Sequence, residues 1–359
     1  MKNKRILLVG GCGFIGHNLA LYLKKNHEVF IVDSLAVNNL LSFTDSEIKN
    51  KKLYSAILNN RIDLINKEKI NLVVQDAREY NSITRIYDQI NPDIIIHLAA
   101  VSHANKSNKD PHSTFDHSLR TLENTLDFAR NKKIHVIYMS SSMVYGNFET
   151  DEVDEESVCK PIGIYGSLKL AGELIVKSYN QVFGLPYTII RPSALYGERC
   201  VSRRVGQIFI ENAIQNLDVV INGNGKEKLD FTYIEDLVSG IATCCESDNA
   251  KNQTFNFTFG NAREVKELVN ILKKEFPKVN ILYKEKENFM PERGTLKNSK
   301  AKSLLGFQPQ YPLEIGYPKY IQWYKSFWNA GKWVFQNLIQ KKKTFIIAEI
   351  GNNHEGNFN

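Results

Sequence analysis

A tyrosine and a lysine stand four residues apart in the segment IYGSLKLAGELIV, as Tyr165 and Lys169. Because residues four apart in a helix lie on one face, this spacing predicts that the two side chains are neighbours. A tyrosine, with a pKa of about 10, is a poor base unless a cation lowers that pKa. The pair is therefore typical of a general base for a hydroxyl proton. The same pattern alone also fits an ordinary exposed helix face.

A cluster of serines, in YMSSSMVYG, precedes this pair and ends an apolar run. A hydroxyl at a strand end can donate a hydrogen bond to an oxygen that is being oxidised or reduced. Ser141 would then polarise the oxygen whose proton Tyr165 removes. The alternative is a polar strand end whose hydroxyls only make turn contacts.

A glycine-rich segment follows the first apolar run, in RILLVGGCGFIGHNLALYLKK. Gly11, Gly13 and Gly16 form a GxGxxG pattern with Gly10 beside it. Such a turn between a strand and a helix lets backbone N–H groups approach a pyrophosphate, which then lies at the positive end of the helix dipole. The segment therefore predicts a dinucleotide site.

A carboxylate, Asp33, ends the second apolar run, EVFIVD. It follows Gly16 by 17 residues, close to the position from which a dinucleotide-binding fold holds the ribose hydroxyls. A carboxylate there repels a 2′-phosphate, so the sequence predicts NAD rather than NADP. In the alternative interpretation, Asp33 merely terminates a strand.

The elements that must position these residues are apolar runs that alternate with helical or polar segments. In the first half of the chain they are RILLVG, EVFIVD, INLVVQD, DIIIHLAA and HVIYMSSS. Continuous apolar strands in this alternation indicate a parallel sheet covered on both faces. We therefore predict an α/β fold, a Rossmann-type doubly wound parallel sheet, with a loop and a helix inserted from about residue 38 to residue 69.

The second half of the chain has mixed short elements, which we interpret as a smaller substrate lobe interleaved with returns to the first domain. IEDLVSGIATCCE and VKELVNILKKEF predict helices, and GNGKE predicts a loop. We assign residues 1–190, with returning segments, to an NAD-binding domain and residues 191–330 mainly to the substrate lobe. Residues 331–343 are then a linker and residues 344–359 a tail.

Composition limits the class of protein. The chain has 359 residues, of which 43% are hydrophobic and 24% charged, enough for one or two globular cores. No apolar run approaches the roughly 20 residues that span a bilayer, and no signal-peptide pattern opens the chain, so we expect a cytoplasmic protein without membrane contact.

The net charge of +7 comes from scattered lysines, which favours an anionic small substrate over nucleic acid. The five cysteines lack metal-site spacing, so we expect neither disulfides nor a bound metal.

Together these motifs resemble those of the extended short-chain dehydrogenase/reductases, in the NAD-dependent nucleotide-sugar epimerase and dehydratase family. The resemblance runs from residue 5 to about residue 325. It implies NAD as the cofactor, a nucleotide sugar as the substrate and, as is common in relatives, a homodimer.

The resemblance also implies roles for individual residues. Ser141, Tyr165 and Lys169 match the catalytic residues, and Ser142, Lys228 and Arg293 are expected to contact the substrate. Asp76 matches a carboxylate on the adenine side. The full set of expected cofactor contacts is Gly10, Gly13, Phe14, Ile15, Gly16, Asp33, Asp76, Ala77, Leu98, Ala99, Ala100, Tyr165, Lys169, Arg191 and Pro192.

Two departures from the family pattern bear on the reaction. Sugar 4,6-dehydratases carry acidic residues directly after the catalytic Ser or Thr, because eliminating water needs an acid and a base. Here Ser142 and Met143 follow Ser141, and neither can protonate a leaving hydroxyl. Leu229 stands where the family usually has a diphosphate-binding arginine, so we expect Lys228 or Arg293 to replace it.

The last residues, KKKTFIIAEIGNNHEGNFN, lie outside this resemblance. FIIAEIG predicts one more buried strand, which would belong to an extra sheet or an oligomer contact. IAEIGNNHEG also resembles the opening strand and loop of the N-acetylneuraminate synthase family, whose barrel needs roughly 250 residues. That resemblance implies the start of a second enzyme and, for this one, a nucleotide-linked N-acetylhexosamine substrate.

The family resemblance implies an NAD-dependent nucleotide-sugar 4-epimerase that acts through a transient 4-keto sugar. Tyr165 would take the proton of the C4 hydroxyl while hydride passes to NAD, and hydride would return to the other face of the sugar. The alternatives are a 4,6-dehydratase and a 4-dehydrogenase or reductase on the same scaffold. A non-catalytic NAD-binding protein is a more distant alternative, because it would not need all three catalytic residues.

Overall fold

The computed structural model describes residues 3–43, 50–101, 104–285 and 291–340. The strands are β1 (Arg5–Val9), β2 (Glu28–Asp33), β3 (Asn71–Val74), β4 (Ile94–His97), β5 (His135–Met139), β6 (Glu152–Val153), β7 (Tyr187–Arg191), β8 (Leu195–Tyr196), β9 (Val219–Asn222), β10 (Lys228–Leu229), β11 (Thr232–Tyr233), β12 (Gln253–Asn256), β13 (Arg263–Glu264), β14 (Ile281–Lys284) and β15 (Thr295–Leu296). The α-helices are α1 (Phe14–Leu23), α2 (Lys51–Lys67), α3 (Tyr80–Ile90), α4 (Ala104–Lys109), α5 (Pro111–Phe115), α6 (Thr121–Lys132), α7 (Gly163–Phe183), α8 (Val205–Ile214), α9 (Ile234–Glu246), α10 (Val265–Glu275), α11 (Ser299–Leu305) and α12 (Leu313–Gln340).

Seven parallel strands form the central sheet, in the order β12-β7-β5-β4-β1-β2-β3. Strand β1 lies between β2 and β4, and its Leu8 is opposite Ile31 and Ile96. Strands β2 and β3 lie on one side of β1, and the chain then crosses to the other side of β1 at β4. Open α/β sheets bind ligands at the carboxyl ends of the strands beside such a reversal. The predicted Rossmann-type doubly wound fold is therefore confirmed.

The central strands are apolar throughout because both of their faces are covered. Ile6 and Leu8 of β1 pack in a cluster that includes residues of α1 and α9. Leu7 and Val9 pack on the opposite face, with residues of α3 and α6. Successive side chains of a strand point to opposite faces, so an uninterrupted apolar run such as RILLV serves two cores at once.

Several predicted elements of the second half are also present. The two predicted helices are α9 and α10, and the inserted segment contains α2. Strand β12 ends at Phe255 and Asn256, the first two residues of FNFTFG, and pairs with β7 at the edge of the large sheet. The chain therefore returns to the first domain after leaving it.

The smaller lobe contains the strand pairs β8–β11, β9–β14 and β10–β13 together with α8, α10 and α12. Helix α12 continues to Gln340 and so covers the first part of the predicted linker. The tail at 344–359, with its predicted strand, lies outside the described residues, and the domain boundaries stay predictions. Within the described ranges no helix is both long and apolar enough to cross a membrane.

Candidate active site

A cleft with two connected parts lies along the carboxyl ends of the parallel strands. The cofactor part is lined by the glycine-rich turn and the ends of β2, β3 and β4. The substrate part is a cavity of about 1030 Å³ between the ends of β5 and β7 and the smaller lobe. The residues common to both linings are Ile15, Leu98, Ala100, Leu195 and Arg204.

The structure brings most of the predicted cofactor residues together. Those that line the cofactor part are Gly10, Gly13, Phe14, Ile15, Gly16, Asp33, Asp76, Ala77, Leu98, Ala99 and Ala100. Tyr165, Lys169 and Pro192 line the adjoining substrate part, together with Ser141. Arg191 lies elsewhere, as described below.

The glycine-rich turn needs glycine because backbone approaches backbone there. Gly10 has a φ of +80°, and a Cβ at this position would lie 2.7 Å from the backbone nitrogen of Ala99. A Cβ on Gly16 would lie 2.5 Å from the carbonyl oxygen of Gly11. Helix α1 starts directly after Gly13, so the N–H groups of its first turn face the cleft without a capping side chain from that residue.

Asp33 ends β2 with its carboxylate held by backbone donors. Its Oδ2 accepts a hydrogen bond from the N–H of Cys12 at 2.8 Å, and its Oδ1 accepts one from Leu35 at 2.7 Å. Burial raises the pKa of Asp33, and these hydrogen bonds oppose the rise. The carboxylate is thus fixed beside the glycine-rich turn, where its remaining lone pairs can accept ribose hydroxyls. A bare helix N-terminus next to a fixed carboxylate fits NAD.

Asp76 lines the cofactor part, and its carboxylate already accepts hydrogen bonds from an arginine. Arg78 donates hydrogen bonds to both oxygens of Asp76 through Nε at 3.1 Å, and Arg78 Nη1 reaches Asp116 at 3.0 Å. Although burial opposes it, the hydrogen bonds from Arg78 hold the pKa of Asp76 below its usual range. Asp76 is therefore a fixed anion at the adenine side of the expected cofactor position.

Tyr165 and Lys169 lie on successive turns of α7, as their spacing predicts. The Lys169 ammonium is buried, and its Nζ donates a hydrogen bond to the carbonyl oxygen of Met139 at 2.7 Å. The same atom is 6.0 Å from the centre of the Tyr165 ring. Burial lowers the pKa of Lys169 to about 8, and the carboxylate of Glu173 opposes that decrease.

Ser141 and Tyr165 both line the substrate part of the cleft. Ser141 follows β5, and its Oγ accepts a hydrogen bond from the N–H of Met143 at 3.2 Å, which caps a short 3₁₀ helix. Burial raises the pKa of Tyr165, while the Arg204 guanidinium and the neighbouring Ser141 hydroxyl oppose the rise. The two hydroxyls are thus positioned to share one oxygen of a bound molecule.

Arg191 is not placed as the family resemblance implies, because its side chain points away from the cleft. Its Nε and Nη2 donate to the two oxygens of Glu173 at 2.9 and 2.6 Å, and Nη1 donates to the hydroxyl of Tyr145 at 2.9 Å. Pro192, the next residue, does line the substrate part. Arg191 therefore stabilises the structure beneath the cleft rather than lining it.

The three predicted substrate residues line the cavity but differ in the partners that they already have. Ser142 is buried, and its carbonyl oxygen accepts a hydrogen bond from Arg293 Nη1 at 2.8 Å. Burial lowers the pKa of Arg293 to about 10. Lys228 is half-exposed and forms an ion pair with Asp151 at 3.3 Å.

Arg204 is a site residue that the sequence analysis missed. It lines both parts of the cleft, and its buried Nε has no hydrogen-bond partner among the described residues. It stands directly before α8, which starts at Val205. The signal in the sequence is the pair of adjacent cations, Arg203 and Arg204, directly before the apolar run VGQIFI.

Arg61 was also missed, because it lies in the middle of the inserted helix α2. Its guanidinium is buried and lines the cofactor part. Nη1 donates to the carbonyl oxygen of Cys12 at 3.3 Å, and Nη2 donates to that of Arg199 at 2.5 Å. Arg61 thereby fixes the glycine-rich turn to the loop before α8. No local pattern distinguishes it from the surface charges of α2.

Comparisons with known proteins agree with this geometry. A putative UDP-glucose 4-epimerase of Methanocaldococcus jannaschii is 29% identical over 334 residues, which cover 89% of this chain and 98% of that protein. A dTDP-D-glucose 4,6-dehydratase of Mus musculus is 28% identical over 338 residues, covering 90% of this chain and 89% of that protein. The crystal structure of a UDP-glucose 4-epimerase from Thermotoga maritima with UDP-glucose superposes with a TM-score of 0.78 at 25% identity, covering 89% of this chain and 98% of that one.

The profile of one protein family matches residues 6–257, from the first strand to just beyond β12. This range contains the glycine-rich turn, Asp33, the serine cluster and the pair on α7. The cofactor of the family is NAD, which the residues of the cofactor part fit. The chain belongs to the NAD dependent epimerase/dehydratase family.

Proposed function

We propose that this enzyme is a nucleotide-sugar 4-epimerase that acts through a transient 4-keto sugar. The observation that carries the proposal is the position of Ser141, Tyr165 and Lys169 where the cofactor part meets a cavity of about 1030 Å³. The neighbours of Ser141 on the chain, Ser142 and Met143, offer no acid for the loss of water. Oxidation and reduction at one carbon are therefore favoured over elimination.

In the proposed reaction, protein side chains remove the proton of one sugar hydroxyl and later return it. Tyr165 removes the proton from O4, and Ser141 holds the same oxygen by a hydrogen bond. NAD, when bound, supplies the capacity to accept hydride from C4 and to return it. The keto sugar turns over within the cavity, and Tyr165 then gives the proton back to O4. The charge on Lys169 favours the phenolate form of Tyr165 in both directions.

The substrate of the proposed reaction carries a diphosphate, for which the cavity supplies cations. Leu229 lines the cavity at the position where an arginine is usual in the family, and Lys228 is already paired with Asp151. Arg204 and Arg293 line the same cavity, and neither is in an ion pair with another described residue. We assign the diphosphate to these two arginines, because a guanidinium matches phosphate geometry.

The sugar that we propose is an N-acetylhexosamine, and this part rests on the sequence of the tail. The segment IAEIGNNHEG resembles the opening strand and loop of the N-acetylneuraminate synthase family, whose enzymes act on an amino sugar, and this resemblance would link the chain to amino-sugar chemistry. A plain hexose or a uronic acid is the alternative that the experiment must separate.

The rival reaction is a 4,6-dehydration, since a dehydratase is among the similar proteins. We would incubate the NAD-loaded enzyme with UDP-, dTDP- and GDP-linked hexoses and N-acetylhexosamines and follow the products by NMR. The proposal predicts a C4 epimer of one amino sugar, and no product from Tyr165→Phe. A 4-keto-6-deoxy sugar would establish the rival reaction, and accumulated NADH would establish a dehydrogenase.

We further propose that the enzyme is a homodimer. Leu174 and Val182 are exposed on α7 although they are apolar, with 58% and 71% of their surface accessible. Because they are eight residues apart, they lie on one face of the helix. Analytical ultracentrifugation of the wild type and of Leu174→Glu/Val182→Glu tests this: a dimer that dissociates in the variant supports the proposal, and a monomeric wild type refutes it.

A further inference from the structure

Beneath the cleft lies a buried ion pair that the reaction described above does not use. Glu173 and Arg191 have 1% and 3% of their side-chain surfaces accessible, and Arg191 Nη2 lies 2.6 Å from Glu173 Oε2. Isolated charges are costly to bury, so each of the two side chains supplies the opposite charge that the other needs. Stability alone is a weak explanation for a buried ion pair, because apolar residues of similar volume often make the fold equally stable.

Glu173 also reaches the catalytic strand end. The hydroxyl of Ser140 donates a hydrogen bond to Glu173 Oε1 at 2.5 Å, and Ser140 immediately precedes Ser141. On its other side, Arg191 donates to Tyr145, whose hydroxyl donates to Asn256 Oδ1 at 2.8 Å. The pair thus connects the ends of β5, β7 and β12 to α7.

Three consecutive residues at and just after the end of β5, Met139 to Ser141, each lie against a different residue of α7. The three residues of α7 are spaced four apart along the helix. The Lys169 ammonium donates to the carbonyl oxygen of Met139, Glu173 accepts from the hydroxyl of Ser140, and Tyr165 neighbours Ser141 in the lining of the cleft. Because residues at this spacing share a helix face, the strand end is held along two turns of α7. Glu173 is the only carboxylate among these six residues.

We propose that Glu173, held by Arg191, is a positioning residue of this active site, which fixes the strand end that carries Ser141 and maintains the positive charge on Lys169. The inference rests on the proposed function in so far as that reaction uses Lys169. It assigns to Arg191 a role through Glu173 instead of a direct contact with the cofactor. Glu173 itself is fully buried and does not line the cleft.

Other groups that face Lys169 come from several elements. Tyr138 of β5 lies with its ring centre 5.1 Å from the ammonium. Burial, and after it the Lys169 ammonium, lowers the pKa of His97 of β4 to about 3. Tyr165 shares the helix, and the Arg204 guanidinium acts on Tyr165. At neutral pH His97 and both tyrosines are uncharged, so Glu173 is the anion that stabilises the charged form of Lys169.

The test measures the protonation of Lys169 directly, with the NAD-loaded protein and without any sugar. Protein labelled with ¹³C at lysine Cε is titrated by NMR, and Lys169→Arg identifies the signal. In Glu173→Gln the midpoint of the Lys169 titration should fall by roughly one pH unit, the size of change that a neighbouring charge produces. Glu267→Gln, which removes a carboxylate of α10 that is paired with Arg263 and lines neither part of the cleft, is the control and should leave the midpoint unchanged.

A second variant guards against misfolding, because Glu173→Gln leaves Arg191 buried without a countercharge. Glu173→Gln/Arg191→Gln removes both charges and retains a hydrogen bond between the two side chains. Its Lys169 midpoint should also lie below that of the wild type. An unchanged midpoint in either variant, when it is folded and holds NAD, overturns the inference.

Turnover measurements keep the two proposals apart. If the midpoint falls in the variants but no nucleotide sugar is converted by the wild type, the inference on Glu173 stands and the proposed function fails. If the wild type epimerises a sugar and Glu173→Gln has the same Lys169 midpoint and the same alkaline limb of kcat/KM, the inference fails and the proposed function stands.

Discussion

The ammonium of Lys169 donates a 2.7 Å hydrogen bond to the carbonyl oxygen of Met139, two residues before Ser141. The lysine is thus tied to the strand that presents Ser141. The cation that opposes the rise in the pKa of Tyr165 is Arg204, from the start of α8. Lys169 of α7 and Arg204 before α8 therefore approach Ser141 and Tyr165 from different elements of the fold.

The pKa of Lys169, about 8, predicts an alkaline limit to activity. Lys169 is charged below this pH and becomes neutral as the pH rises through it, and the phenolate of Tyr165 then loses a favourable neighbour. We expect kcat/KM to fall as the pH rises through about 8. Lys169→Arg, which stays charged, should shift this fall to higher pH. A wild-type profile that stays level to pH 10 would contradict this role of Lys169.

Asp33→Asn should weaken NAD binding by roughly tenfold to a hundredfold, the range expected for losing charged hydrogen bonds to a ribose. The asparagine also turns an N–H group toward the backbone donors of Cys12 and Leu35. Calorimetric titration of NAD into protein freed of nucleotide measures the effect. Asp88→Asn, at an exposed ion pair with Lys132, is the control and should bind NAD as the wild type does.

Arg204→Gln should raise KM for the nucleotide sugar by roughly tenfold or more, because it removes a guanidinium from the expected diphosphate position. The variant should also raise the pKa of Tyr165 further, because the Arg204 guanidinium opposes the rise that burial causes. Lys228→Gln is the comparison, and it should change KM little since Lys228 is half-exposed and paired with Asp151. A larger effect of Lys228→Gln than of Arg204→Gln would reverse our assignment.

Tyr54→Phe should lower the free energy of unfolding by about 1.5–3 kcal/mol, the usual contribution of a hydrogen bond to a buried charge. The hydroxyl of Tyr54 donates to Glu211 at 2.7 Å, and Tyr324 donates to the same carboxylate, so this contact joins α2 and α12 to α8. Urea unfolding measures the change. Tyr80→Phe removes a similar bond to Asp127 at an exposed site and should cost less than about 1 kcal/mol.

The sequence was sufficient for the features that depend on local pattern. Strands β1 to β5 follow from uninterrupted apolar runs, and the glycine-rich turn and Asp33 follow from their spacing. The shared face of Tyr165 and Lys169 follows from the helical period. The structure confirms the predicted fold class and places these residues along one cleft.

Features that depend on side-chain direction or long-range packing were not predictable. Arg191 and Pro192 are adjacent at the end of β7, and successive side chains there point to opposite faces, so only Pro192 lines the cleft. Arg204 and Arg61 reach the cleft from the smaller lobe and the inserted helix. Their placement follows from how α8 and α2 pack, which no local motif encodes.

An isotope experiment tests the central claim most directly. A nucleotide-linked N-acetylhexosamine with deuterium at C4 is incubated with the NAD-loaded enzyme in ordinary water, and the product is analysed by NMR and mass spectrometry. Epimerisation at C4 through hydride removal and return predicts inverted stereochemistry with the deuterium retained at C4 and no loss of mass. A product that has lost water and carries deuterium at C6 would contradict the assignment of a 4-epimerase.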